Sequence, residues 1–155
     1  MKMRKGFTLV ELLIVIVIIG ILAAAMLLST TSATASAKAT TLISDLRSMK
    51  AALLLMYANS MDSMPPVANA LSSLRSFIDN PDKYVKTGSG FSISDGTDGK
   101  WYIGYDFTPM AGSDLAEVKK KLAEKAEKVG LFSDKTTDNS KVFKATDTAI
   151  YMVGR

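Results

Sequence analysis

The sequence predicts an α+β protein whose long N-terminal helix enters a membrane, and three observations support this class. Residues 7–28 form an apolar run that contains one charge. Hydrophobic residues keep a helical spacing from 42 to 57, and strand-like alternation first appears after residue 90. This order predicts a long helix followed by an antiparallel sheet that packs on it. A length of 155 residues favours a single folded domain.

Composition excludes several kinds of catalytic and metal site. The chain has no cysteine and no histidine, so disulfides, thiolate zinc sites, cysteine nucleophiles and imidazole bases are excluded. The net charge is +4, but three cations (Lys2, Arg4 and Lys5) precede Gly6, so the rest carries only +1. We therefore predict no enzyme activity, no cofactor and no metal, and we do not expect nucleic-acid binding over a broad surface.

Residues 7–28 are predicted to span a membrane as the first half of the long helix. As a helix, 22 residues rise about 33 Å, which is enough for a hydrocarbon core of roughly 30 Å. Basic residues lie before this run, and no charge follows it until Lys38. This asymmetry predicts a single-pass protein of the cytoplasmic membrane with its N-terminus in the cytoplasm.

From these residues alone, three interpretations of the apolar run stay open. A signal peptide cut at Ala33-Thr34-Ala35 or Ala35-Ser36-Ala37 would normally have a shorter apolar stretch. A plain anchor explains the length but not Glu11, a carboxylate that is costly in lipid unless it snorkels to the headgroups. The third interpretation is a functional intramembrane carboxylate with a partner.

Residues 5–14, KGFTLVELLI, resemble the class III signal of type IV pilins and type II secretion pseudopilins. The resemblance covers residues 5–25 and extends more loosely along the following helix. It implies that residues 1–6 are a leader, that a prepilin peptidase cleaves after Gly6, and that the new N-terminal residue, Phe7, becomes N-methylphenylalanine. It also implies that Glu11 pairs with the amine of a neighbouring subunit and sets its axial stagger during assembly.

Elementary chemistry supports a link between Phe7 and Glu11. Cleavage after Gly6 would create an α-amine on Phe7 that is mainly cationic near neutral pH. If the helix starts at Phe7, the two residues are at i and i+4, on one face. The amine could be that of the same chain or of a neighbour.

The residue at position 28 bears on the subclass of pilin. Leu28 stands about where many major pilins carry a proline, so a minor pilin or pseudopilin stays open.

The second half of the helix is predicted to be an amphipathic extension over residues 29–60. Residues 29–41 are small and hydroxylated, without glycine or proline. An apolar stripe follows, and Met64-Pro65-Pro66 predicts the end of the helix. The stripe consists of Leu42, Leu46, Met49, Leu53 and Tyr57.

Residues 61–155 are predicted to form a globular head. We expect a short helix over Ala68–Ile78, a hairpin of strands 91–94 and 101–107, a helix over Ser113–Val129 capped by Gly130, and a last strand at Thr148–Val153. Trp101, Ile103, Tyr105 and Phe107 are predicted to share the inner face of the hairpin. What holds the chain after Gly130 without a disulfide is left open.

Three groups in the head suggest ligand sites, and each has a simpler interpretation. The basic stretch, which consists of Lys119, Lys120, Lys121, Lys125 and Lys128, is predicted to be a solvated face supported by Glu117–Lys121 and Glu124–Lys128 pairs rather than a DNA site. Asp95, Asp98, Asp134, Asp138 and Asn139 are predicted to be turn residues rather than calcium ligands. Trp101 and Tyr105 are predicted to be core residues, and the role of Tyr102 is left open.

Together these features predict a non-catalytic structural subunit of a type IV pilus-like filament. The partners expected are further copies of the chain, a prepilin peptidase, an assembly platform and the membrane. The filament is expected at the cell surface. A secretion or competence pseudopilin that forms a short piston is the main alternative, ahead of a minor pilin that binds DNA or a surface and of a soluble protein released by signal peptidase.

Overall fold

A computed structural model of the chain describes residues 6–60, 65–110, 112, 114–136 and 138–155. The predicted leader up to residue 5, Met64 and Ser113 lie outside the described residues, as do the side chains of Leu28, Ser29 and Asn139. The observed elements give an α+β protein in which a long N-terminal helix packs against a four-stranded antiparallel sheet, as predicted.

The long helix α1 runs over Leu9–Asn59. It begins two residues after the predicted start at Phe7 and ends one residue before Ser60. The chain divides into a first unit that ends at Thr34 and a second unit, Ala35–Arg155. Helix α1 contributes to both units.

The first unit leaves its large apolar side chains uncovered. Between Phe7 and Leu27 these side chains are 51–87% exposed. By length and composition, this part of α1 is apolar enough to cross a membrane, and α1 is the one such helix in the described residues. Soluble core helices and signal sequences satisfy the same criterion, but a core helix would have its apolar side chains buried.

The sheet of the second unit has the strand order β1-β2-β4-β3. Strands β1 (Phe91–Asp95) and β2 (Trp101–Asp106) form the predicted hairpin, in which Ile93 pairs with Ile103. The last strand, β4 (Ala149–Val153), lies between β2 and β3 (Leu131–Phe132). The last strand was therefore predicted correctly, whereas the two-residue strand β3 was not predicted.

One face of the sheet meets the C-terminal part of α1 in the core of the second unit. Because Ile103 pairs directly with Met152, and Tyr105 with Ile150, these four side chains point to the same face. All four are buried with the α1 stripe. The stripe residues that are fully or nearly fully buried are Leu42, Leu46, Met49 and Leu53. The predicted inner face of the hairpin is confirmed for Ile103, Tyr105 and Phe107, which are buried, whereas Trp101 packs against the core but is only partly buried.

The remaining helices follow the predicted order with shifted ends. Helix α2 (Val67–Ser73) continues as a 3₁₀ turn over Leu74–Ser76, where one helix over Ala68–Ile78 was predicted. Helix α3 (Asp82–Val85) and a 3₁₀ turn at Asn139–Lys141 were not predicted, because four- and three-residue helices leave no periodic signal. Helix α4 runs over Leu115–Val129 and ends at Gly130, whose φ of 74° is left-handed as the predicted cap requires.

Candidate assembly site and head surface

The predicted cleavage site lies in an exposed segment before α1. Gly6, Phe7 and Thr8 precede the helix, and the side chain of Phe7 is 87% exposed. A Cβ atom placed on Gly6 would have no described atom within 4 Å. Within the described residues, both sides of the Gly6–Phe7 peptide bond are therefore uncovered.

Thr8 and Glu11 form a reciprocal capping box at the start of α1. The backbone N–H of Thr8 donates to Glu11 Oε2 at 2.8 Å, and Thr8 Oγ1 donates to the same oxygen at 2.9 Å. In return, the backbone N–H of Glu11 donates to Thr8 Oγ1 at 3.2 Å. Because α1 begins at Leu9, Thr8 is the N-cap and Glu11 the third helical residue, the positions at which such a box satisfies N–H groups that lack helical partners.

The box changes the predicted relation between Phe7 and Glu11. The two residues do not share a helical face, because Phe7 lies before the first helical residue. Within residues 6–60, Glu11 has no ion pair, and its carboxylate is held by Thr8 instead. The role of Thr8 was missed, although the pattern Thr-x-x-Glu before an apolar run is a recognised sign of a capping box.

In the second unit, Asp45 holds α3 against α1. This carboxylate is 9% exposed, accepts from Lys83 Nζ at 2.6 Å, and accepts from the hydroxyl of Tyr84 at 3.0 Å. Burial raises the pKa of Tyr84 to about 12, and the hydrogen bond to Asp45 and its negative charge add to the rise. The cluster satisfies a buried charge rather than presenting a reactive group.

A second ionic contact joins α1 to the start of α4. Lys38 Nζ lies 2.5 Å from the Asp114 carboxylate. The hydrogen bond from Lys38 lowers the pKa of Asp114, with the lysine charge contributing further. The carboxylate of Asp114 therefore binds α1 rather than capping α4, to which it makes no side-chain hydrogen bond.

Arg155 contacts two aromatic rings, which helps to explain how the segment after Gly130 is anchored without a disulfide. The Arg155 guanidinium lies 4.0 Å from the ring centroid of Tyr57 on α1 and 5.5 Å from that of Trp101. The backbone N–H of Trp101 donates to the backbone carbonyl of Arg155 at 3.0 Å. Together with the interior position of β4, these contacts fix the last residues of the chain.

The basic stretch on α4 is paired locally, although not as predicted. Lys121 lies 3.2 Å from Glu124, and Lys120 lies 4.0 Å from Glu117. Both pairs have i, i+3 spacing, whereas i, i+4 pairs were predicted. Helix neighbours at either spacing are close enough to pair, so the side-chain rotamers decide between them.

Two other lysines of the basic stretch contact neutral groups. Lys119 lies over the Phe107 ring at 5.1 Å from its centroid. Lys125 Nζ donates to Thr40 Oγ1 on α1 at 3.1 Å. These contacts fit the predicted solvated helix face. They also reduce the number of lysine side chains that could bind one ligand together.

The acidic loop residues take part in turns. Asp98 accepts from the Tyr102 hydroxyl at 2.7 Å, and this hydrogen bond is the main cause of its lowered pKa. Asp138 accepts from the Ser140 N–H at 2.9 Å and caps the 3₁₀ turn. Tyr102 is fully buried, so its ring is not available for stacking on a ligand. The described residues contain no group of three or more side chains placed to hold a metal ion.

Comparison with known proteins gives one match, at the N-terminus. Residues 1–27 match the family model described as the prokaryotic N-terminal methylation motif. The match supports the class III signal of a type IV pilin or pseudopilin and, with it, a prepilin processed by a prepilin peptidase. No curated protein and no solved structure matches the chain.

Proposed function

We propose that the chain is a structural subunit of a type IV pilus-like filament, cleaved after Gly6, N-methylated on Phe7, and assembled through its N-terminal helix. The match at residues 1–27 is the observation that carries the proposal. The exposed Gly6–Phe7 bond and the uncovered apolar side chains of the first unit support it.

The apolar side chains of the first unit need a cover that excludes water in both states of the subunit. Before assembly, lipid covers the side chains from Phe7 to Leu27. In a filament, the corresponding helices of other subunits cover them. Since lipid tails are as apolar as these side chains, close packing and polar contacts must favour the filament over the membrane.

Glu11 supplies a polar contact of this kind. In the free subunit the capping box with Thr8 satisfies the carboxylate, and the new amine on Phe7 provides a counter-charge once the leader is removed. A neighbour's amine approaching Glu11 replaces a membrane-exposed charge with a paired one. A single buried charge pair of this kind can fix the register between helices.

Two substitutions at Glu11 test this role. Glu11→Ala removes both the charge and the cap, whereas Glu11→Gln keeps an oxygen that can accept from Thr8 and removes only the charge. Both variants are expected to insert, to be processed, and to lose assembly, measured as sheared extracellular filaments against processed subunit in the membrane. Normal filament yield from Glu11→Gln would contradict the charge pairing.

A pseudopilin is the second candidate, and Leu28 at the position of the usual proline favours it. A pseudopilin would assemble only a short piston. Shearing of cells that express the chain at native level separates the two functions, because a major pilin dominates the sheared fraction and a pseudopilin stays with the cell envelope.

A further inference from the structure

Two leucines on α1 are exposed without an evident reason in the isolated second unit. Leu54 is 44% exposed and Leu55 is 56% exposed, and they are the only large hydrophobic residues of the second unit with this exposure among the described residues. They differ in direction by about 100° around the helix. Leu55 lines one groove, and Leu54 lies on the side of α1 that carries Arg47 and Lys50, which line another. Exposed apolar side chains contribute to a contact surface when they adjoin other apolar and charged groups, so the surroundings of each leucine decide its significance.

The groove on the Leu54 side is basic. Its volume is about 340 Å³, and it lies between α1 and the β3–β4 end of the sheet. Arg47 and Lys50 line it above an apolar floor that includes Phe132 and Met152. Neither cation has an ion pair within the described part of the chain. We call Arg47, Lys50 and Leu54 the basic flank.

The groove on the Leu55 side carries the opposite charge. Its volume is about 250 Å³, and Leu55, Phe77, Ile78 and Asp79 are among its lining residues. Asp79 is exposed, and none of the residues described here makes an ion pair or a hydrogen bond with its side chain. We call Leu55, Phe77, Ile78 and Asp79 the acidic flank.

The two flanks border the same exposed face of α1, which carries Ser44, Ala51 and Ala58. Residues 47–55 span less than three turns, so both flanks lie at a similar height along α1. When two copies stand side by side with parallel α1 helices, the basic flank of one copy faces the acidic flank of the next. Subunits anchored through the same N-terminal helix have this parallel orientation.

We propose that the basic flank of one copy binds the acidic flank of a second copy, with Arg47 and Lys50 next to Asp79 and the two leucines covered at the junction. This inference rests on the proposed function. The contact joins different surfaces of the two copies, so its repetition does not close as a dimer; with an axial rise between successive copies it produces a helical array. Because the flanks lie on either side of one face of α1, that face turns toward the axis of the array.

Cross-linking of introduced cysteines in filaments tests the contact. Because the chain has no cysteine of its own, every thiol that reacts within the chain is an introduced one. The full chain with Lys50→Cys and Asp79→Cys is produced in a host that assembles filaments, which are sheared and treated with a short bis-maleimide. A linker is needed because a lysine–aspartate pair holds its backbones farther apart than a disulfide spans. The expected product is a ladder of dimers, trimers and higher multimers.

The single variants and one other pair are the controls. Lys50→Cys alone and Asp79→Cys alone are expected to stay monomeric, because each cysteine would face a charge and not a second cysteine. Lys50→Cys with Lys120→Cys, which places the second thiol on the exposed surface of α4, is also expected to give no ladder. Dimers from either single variant, or no ladder from intact filaments of the Lys50–Asp79 pair, would overturn the contact.

Charge reversal gives a second, independent readout. Arg47→Glu with Lys50→Glu is expected to lower filament yield roughly tenfold, since attraction becomes repulsion at each junction. Adding Asp79→Lys is expected to restore most of that yield, and failure to restore it counts against the pairing. If the unaltered chain forms no filaments, the proposed function is wrong and this contact with it. If filaments form without the ladder, only the contact is wrong.

Discussion

At the residue scale, Glu11 makes one contact in the structure, with Thr8, and a second in the proposed function, with the amine of a neighbouring subunit. Its hydrogen bonds with Thr8 satisfy backbone N–H groups at the start of α1 and hold the carboxylate beside the predicted new N-terminus. In the proposed function, the capping role belongs to the free subunit and the charge role to assembly. Separate substitutions can therefore distinguish them.

Thr8→Ala removes the cap and leaves the charge. Loss of an N-cap hydroxyl costs about 1 kcal/mol of local helix stability, so the first turn of α1 is expected to fray. Filament yield should fall less than in Glu11→Gln, measured by shearing at equal amounts of processed subunit. Thr8→Ser, which keeps the hydroxyl, is the control and should assemble normally. An assembly defect in Thr8→Ser as large as that in Thr8→Ala would show that the cap is not the cause.

Because of Tyr84, the free energy of unfolding of the second unit is expected to depend on pH in the alkaline range. Its pKa is about 12 in the folded chain and near 10 when unfolded. Between these values the unfolded chain has lost the phenolic proton and the folded chain keeps it, so stability falls as pH rises from 10 toward 12. Below pH 10 both states hold the proton and this contribution does not change.

Tyr84→Phe is expected to lose less stability over this pH range than the unaltered chain, by up to roughly 2 kcal/mol. Urea unfolding of the detergent-solubilised chain at pH 8, 10 and 11.5, followed by the fluorescence of Trp101, measures the difference. Tyr105→Phe is the control, because Tyr105 is also buried. Burial raises the pKa of Tyr105 too, but its hydroxyl makes no hydrogen bond to Asp45. Equal pH slopes for the unaltered chain and Tyr84→Phe would contradict the assignment.

At the element scale, the turn before β1 depends on glycine for two separable reasons. Gly88 and Gly90 have φ of 82° and 85°, a backbone region that other residues enter at a cost. A Cβ atom on Gly90 would also lie 2.7 Å from the Asp106 carbonyl oxygen, whereas one on Gly88 meets nothing within 4 Å. Only Gly90 therefore adds a clash with backbone to the conformational cost.

Gly88→Ala is expected to cost about 1 kcal/mol and Gly90→Ala about 2–4 kcal/mol of the free energy of unfolding. Thermal or urea unfolding that is followed by Trp101 fluorescence compares the two. The difference between them isolates the clash with β2, since both variants share the left-handed strain. Equal losses would mean that the segment shifts to make room and that the close approach does not position β1.

At the scale of the whole molecule, the first and second units differ in how they treat their apolar side chains. The second unit buries them between α1 and the sheet, while the first leaves them exposed. In the proposed function, lipid and then other subunits cover the exposed side chains. In the proposed function, processing adapts the chain to both surroundings. Cleavage after Gly6 would remove the leader cations and leave a terminal amine close to Glu11 in sequence.

An intact-mass measurement on membrane-extracted protein tests processing. The expected mass is that of residues 7–155 with one added methyl group, because cleavage after Gly6 precedes methylation of Phe7. In a Gly6→Val variant, the full-length mass is expected, since a branched side chain restricts the backbone at the scissile bond. A chain that starts near Ala37 would indicate ordinary signal peptidase and contradict the proposal.

Local sequence patterns were sufficient to predict the type and the approximate position of most helices and strands. The apolar run, the α1 stripe, the hairpin, α4 with Gly130 and the last strand each have a period or a turn signal carried by neighbouring residues. The motif around Gly6, Phe7 and Glu11 is equally local. The capping box of Thr8 and Glu11 also has a local sequence pattern, Thr-x-x-Glu, but it was not predicted.

Only the tertiary structure decided which distant residues meet. The sequence by itself determined the membrane-length helix, the class of signal, and the α+β order, because each depends on spacing within one segment. It did not determine that Arg155 lies on Tyr57, that Asp45 holds Lys83 and Tyr84, or that opposite charges border one face of α1. Those contacts join residues far apart in the chain, and their pairing depends on the strand order β1-β2-β4-β3, which no local period encodes.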